Sequence, residues 1–173
     1  MGMVDQAVIN FACYEDAKDF LGLASVTLPD VDFIIATISG AGIAGNVEAP
    51  IIGHMNAMTT QIKFLTFSTD SLKLLEPREH NIDLRAPQQV YDPIAGVYKT
   101  QSVKHVLVLI PKTLSNGNIA PASPTDGSGS YAVRRWVTYI DDAKVMELDP
   151  YNYICEVNGV DYLSDTRKAL GKS

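Results

Sequence analysis

Residues 102–110 read Ser-Val-Lys-His-Val-Leu-Val-Leu-Ile, a run that is apolar on both sides when drawn as a strand. Val103, Leu107 and Leu109 fall on one face, and Val106, Val108 and Ile110 on the other. Successive side chains of a strand point to opposite faces of a sheet, so this segment needs cover on both. One cover is the chain's own core. The other is a second layer or a second molecule, and that requirement shapes the rest of the reading.

Most of the remaining chain also reads as strand. Residues 58–67 alternate, with Met58, Ile62 and Phe64 on one face and Thr59, Gln61 and Lys63 on the other. Residues 7–14 and 23–28 are shorter extended pieces closed by Glu15-Asp16 and Pro29-Asp30. Residues 131–140 and 144–157 flank Asp141-Asp142, which predicts an antiparallel hairpin. One short helix is signalled by capping oxygens at Ser68-Thr69-Asp70, apolar Leu72, Leu74 and Leu75, and a stop at Pro77. A second, over residues 164–170, has Ser164 or Asp165 as its cap and Gly171 as terminator. The fold class is therefore mainly β, an antiparallel sandwich or barrel with a short flanking helix, in one domain over residues 1–173.

Two segments read as long loops. Residues 113–130 hold Asn116-Gly117-Asn118, Pro121, Pro124 and Gly127-Ser128-Gly129, a composition typical of linkers. Residues 39–56 are different: glycine-rich, almost uncharged, and carrying Ile43, Val47, Ile51, Ile52 and Met55. Such residues are poorly placed in water, so either the chain or another subunit buries them.

The first glycines of that segment, Gly40-Ala41-Gly42-Ile43-Ala44-Gly45, match the dinucleotide-binding pattern and follow an apolar run, residues 33–38. The pattern works only when a helix follows and offers its N-terminus to a pyrophosphate. Here Pro50 and Gly53 follow, and no acidic residue stands between Glu48 and Asp70 to hold a ribose. The expectation is a glycine loop without a nucleotide.

No other motif gathers chemistry. His54, His80 and His105 stand far apart with no thiol or carboxylate at metal-ligand spacing. Ser128 and Ser130 lack the strand–turn–helix setting of a nucleophile. Glu147 and Asp149 share one strand face, in a row with Tyr151 and Tyr153, and read as a solvated face. Arg134 and Arg135 alternate sides and are expected to pair with Glu147, Asp149 or an acid on a neighbour. Cys13 and Cys155 form no CxxC pair and read as reduced, small apolar residues. No apolar run is long enough for a membrane-spanning helix, and Met1-Gly2-Met3-Val4-Asp5-Gln6 lacks the pattern of a signal peptide. The net charge of −6 argues against a sequence-reading nucleic-acid binder, which needs a basic face. No catalytic residue, cofactor or metal is expected.

An ordered set of segments resembles the major tail tube protein family of contractile-tailed bacteriophages and phage-tail-like bacteriocins. The segments are residues 10–14, 22–29, 40–45, Gly53-His54, 84–92, 145–149, 157–161 and 167–171, spread over roughly residues 9–171. The family commonly has glycine where Pro111 stands, and a more compact stretch in place of residues 113–130.

The resemblance implies a structural subunit: six copies close a ring, and rings stack into a hollow tube. It implies sheath, baseplate and tape-measure partners, DNA as non-specific cargo or ions as the passage, no membrane anchor, and residence in a phage tail or bacteriocin particle made in the bacterial cytoplasm. Gly40, Gly42, Ile43, Gly45, Val47, Ile51, Ile52, Val106, Val108, Ile110 and Arg167 then become stacking or subunit-interface residues, and Glu147 and Asp149 lumen-facing acids. Residues 39–56, 113–130 and the tail over 164–173 become segments that order on docking. The alternatives are a type VI secretion-like tube protein and a soluble all-β binding module.

Overall fold

The computed structural model describes residues 2–16, 18–19 and 22–172. In chain order these form β1 (Val4–Val8), β2 (Ala12–Glu15), β3 (Lys18–Asp19), β4 (Leu23–Thr27), β5 (Phe33–Ile38), β6 (Val47–Met55), β7 (Met58–Phe64), α1 (Thr69–Lys73), β8 (His80–Arg85), β9 (Gln88–Asp92) and β10 (Val97–Gln101). There follow β11 (Val103–Ser115), β12 (Ser128–Ile140), β13 (Ala143–Asp149), β14 (Ile154–Val157), β15 (Val160–Asp161) and α2 (Ser164–Ala169). The mainly antiparallel-β expectation holds, and both short helices read from the sequence are present as α1 and α2.

The largest sheet runs β15-β14-β13-β12-β11-β8-β2-β3. Its organiser is β12. Residues 128–133 of that strand pair with β7, residues 136–140 pair with β13, and β11 lines the opposite edge throughout. The partner changes at Arg134, which the β11 register skips as a bulge. A bulge bends a strand and increases its twist, so the sheet forks there, with β4 attached to β7. Two smaller sheets, β1-β9-β10 and β5-β6, complete the structure.

Directly opposed residues build the core. Ile82, Leu107, Trp136, Leu148 and Cys155 form one row across five strands, and all are buried. Met58, Val133, Leu109 and His80 form a second. Tyr131, Ile62, Leu74 and Leu163 close the cluster. Each large side chain buried this way contributes about 1.5–3 kcal/mol. Cys13 and Cys155 are buried within it and are not joined in a disulfide. Burial pushes the Tyr131 phenol up to about 12.

Local chemistry explains the turns that matched expectation. Asp141 and Asp142 both have positive φ, 47° and 64°, the conformation of a two-residue hairpin turn between β12 and β13. Ser68 and Ser71 exchange side-chain-to-backbone hydrogen bonds as a capping box on α1. Gly171 (φ 68°) ends α2: its N–H donates to Lys168 O and that of Lys172 to Arg167 O, a Schellman motif.

Other expectations fail for identifiable reasons. Residues 7–14 are two strands in different sheets, β1 and β2. Residues 144–157 break at a turn over residues 150–153, where Pro150 interrupts the strand and Tyr153 takes φ 53°. Glu147 and Asp149 therefore do not continue into a row with Tyr151 and Tyr153. The irregular segment expected over 113–130 shrinks to residues 116–127, because β11 and β12 pair out to Ser115 and Ser128. The cap of α2 is Leu163, without a side-chain hydrogen bond, rather than Ser164 or Asp165.

Candidate assembly interface

Residues 39–56 are not a loop. Residues 47–55 are β6, paired with β5 in a hairpin whose tip is the glycine run. Gly42 and Gly45 have φ of 91° and 137°, and Ile43 N–H donates to Gly40 O across the turn. A strand follows the glycines instead of a helix, so no helix N-terminus meets them and the nucleotide pattern has no physical content here.

The hairpin is apolar on both faces. Ile38 opposes Val47 on one, Ile35 opposes Pro50 on the other, and all three aliphatic residues are about half exposed. Ile52 reaches 69% exposure. Glu48 is the only Asp, Glu, Lys or Arg between residues 33 and 55. Neither strand pairs with any other sheet among the described residues. An isolated two-stranded hairpin is at best marginally stable in water, and exposed contiguous apolar surface marks an interaction site. Gly40, Gly42, Ile43, Gly45, Val47, Ile51 and Ile52 are thus brought together on one projecting element.

Val106, Val108 and Ile110 lie elsewhere, on the second face of β11, and are half-buried. Val106 sits between Asp83 and Val137, and Val108 between Asn81 and Arg135. Asp83 Oδ1 is buried there without a hydrogen-bond partner, while its Oδ2 accepts from Arg85 at 3.0 Å.

The same face carries Glu147 and Asp149, and these are buried rather than solvated. Arg135 Nη2 and Lys144 Nζ donate to the two oxygens of Glu147 at 2.6 and 2.8 Å, and Lys144 also reaches Glu156 at 2.9 Å. Burial opposes ionisation of Glu147, but Lys144 and Arg135 prevail and hold its carboxyl below the usual range. Asp149 builds the turn: its Oδ1 accepts from the N–H groups of Tyr151 and Asn152, and its Oδ2 from Asn152 Nδ2. Arg135 pairs with Glu147 as the sequence suggested, whereas Arg134 takes Glu79 at 2.6 Å.

Arg167 is engaged inside its own chain. Nη2 meets Asp161 Oδ2 and Nη1 donates to Tyr153 O, each at 2.6 Å.

The histidines serve structure in ways their spacing did not reveal. His80 is fully buried against Glu15, with Arg78 and Lys73 around the same carboxylate. His105 Nδ1 sits 2.9 Å from Thr138 Oγ1 and accepts weakly from Trp136 Nε1, and burial pushes its imidazole below the usual range. Among the described residues no cluster of His, Cys, Asp and Glu has the arrangement of a metal site, and no helix is long and apolar enough to cross a membrane.

This architecture is that of contractile-injection-system components. A chain in the cryo-EM structure of an extracellular contractile injection system, the PVC sheath/tube terminator in the extended state, superposes with a TM-score of 0.52 at 11% identity, covering 76% of this chain and 94% of that one. A chain of the PVC sheath-tube complex in the extended state gives 0.51 at 11% identity, over 75% and 88%. The family described as phage tail tube protein FII matches residues 5–171, and the chain belongs to that family. No curated protein matches it in sequence.

Proposed function

We propose that this chain is the inner-tube subunit of a contractile injection apparatus, with six copies closing a ring and rings stacking into a hollow tube. The carrying observation is the β5–β6 hairpin: exposed, apolar on both faces and nearly uncharged. Burial between copies removes that surface from water at about 25 cal/mol per Å². The small residues at the tip let backbones approach closely, so Gly40, Gly42, Ile43, Gly45, Val47, Ile51 and Ile52 form the stacking surface.

Val106, Val108 and Ile110 are the second contact region. Glu147 and Asp149 belong to the lumen side in this reading. Arg135 and Lys144 together meet Glu147, Asp149 and Glu156, so two cations offset three carboxylates and the lining stays slightly negative, a surface over which DNA slides without holding. The sheath, baseplate and tape-measure proteins are the remaining partners, and the particle is a phage tail or a headless bacteriocin. The PVC likeness supports the fold on which this rests.

End-on electron-microscopic averages of assembled particles test the ring. Sixfold symmetry around an empty centre is expected; another symmetry or a filled centre contradicts the proposal.

A further inference from the structure

Because β5 and β6, among the described residues, pair only with each other, the angle at which they leave the body is fixed at their base. That base is residues 50–55. One side of it faces Cys155, Val157 and Tyr162, and the other Pro150, Tyr153 and Leu163. At Gly53 (φ 66°) an added Cβ would lie 2.5 Å from Leu163 Cγ and 2.6 and 2.8 Å from its methyls. Leu163 occupies the volume that any larger residue there needs.

Leu163 is itself immobilised. Its N–H donates to Asp161 Oδ1 at 3.1 Å, and its carbonyl accepts from Arg167 N–H at 2.9 Å. The Arg167 guanidinium then spans Asp161 on β15 and the Tyr153 carbonyl in the β13–β14 turn. One planar side chain therefore ties α2, β15 and that turn around Leu163.

We infer that Arg167 is a positioning residue for assembly: through Leu163 it latches the base of the hairpin and sets the direction of the tip. This rests on the hairpin being the assembly element. The lever is long. From Gly53 to Gly45 the strand spans about 25 Å, so a rotation of about 10° at the base displaces the tip by about 4 Å. A shift of that size takes side chains out of register with a close-packed partner.

The test uses the full chain and two readouts, amide exchange of the unassembled subunit and the yield of assembled particles. Arg167→Gln is expected to speed exchange over residues 47–55 by about tenfold while β11 and β12 keep their protection, and to lower the yield. Arg167→Lys restores little, because an ammonium cannot span both acceptors as a guanidinium fork does. Gly53→Ala is expected to lower the yield, because its Cβ meets Leu163 and its φ of 66° disfavours an L side chain.

An Arg167→Gln subunit with wild-type exchange over 47–55 overturns the latch. If it also assembles poorly, Arg167 is a direct interface contact instead. Ile43→Asp, at the hairpin tip and outside the base over residues 50–55, separates the two readings. Normal assembly of that variant removes the hairpin's assembly role, while the exchange result still reports on the latch.

Discussion

Glu15 Oε1 lies 2.6 Å from His80 Nδ1, and neither side chain reaches solvent. The other ring nitrogen faces Glu76 O at 3.0 Å, so both nitrogens meet acceptors. Arg78 and Lys73 stand 3.2 and 3.4 Å from the same carboxylate. The cluster joins β2, α1 and β8 in the interior, where an unpaired charge is costly.

Glu15→Gln and His80→Phe are each expected to cost about 3–5 kcal/mol, the range for breaking a buried pair from one side. Urea denaturation of the two single variants and the double checks this. The double variant is expected to lose less than the sum, since both single changes remove the same Glu15–His80 contact.

The Glu147 cluster gives a pH signature. Its carboxyl is held below its ordinary value of 4.5, so its contribution is present above that value and is lost as pH falls through the depressed one. Glu147→Gln is expected to be less stable than wild type by about 1–2 kcal/mol at neutral pH. The gap should narrow as pH falls below the ordinary carboxylate range. Denaturation curves at neutral and acid pH read it; an equal gap at both contradicts the ion-pair account.

Ile43→Asp and Ile52→Asp separate assembly from folding. Both sites are exposed in the subunit, so each change is expected to alter its stability by no more than about 0.5 kcal/mol. Assembly is expected to fail, because an unpaired carboxylate in a buried apolar contact is strongly unfavourable. Denaturation and light scattering on the same samples measure the two effects.

Premature polymerisation sets a further expectation. The hairpin tip over residues 39–46 and the segment over 119–124 lack strand pairing, and are expected to exchange amide hydrogens quickly in the free subunit and slowly after assembly. Equal protection in the two states removes ordering on docking as the kinetic barrier.

What the sequence revealed depended on how local the signal was. Asp141-Asp142 between two apolar runs, Ser68 before a leucine stripe, and Gly171 after α2 each carry their reason within a few residues. β6 was hidden because Pro50 and Gly53 are turn-like residues, yet here Gly53 serves a bulged base packed on Leu163, and Pro50 stands opposite Ile35. β8, β9 and β10 were also missed. They are short, polar on one side, and defined by partners far along the chain, as where His105 opposes Leu84. The Glu15–His80 pair and the Arg167 clamp are tertiary, with no periodicity to announce them. The apolar hairpin residues were visible from composition alone; that they share one projecting element was not.

The central claim is that this subunit polymerises through its hairpin into a hollow tube. Negative-stain electron microscopy of purified wild type and Ile52→Asp across one concentration series tests it most directly. The account predicts hollow rings or tubes for wild type as concentration rises, and dispersed subunits for Ile52→Asp at every concentration. Wild-type protein that stays monomeric even when seeded with assembled particles, or tubes formed equally well by the variant, would contradict it.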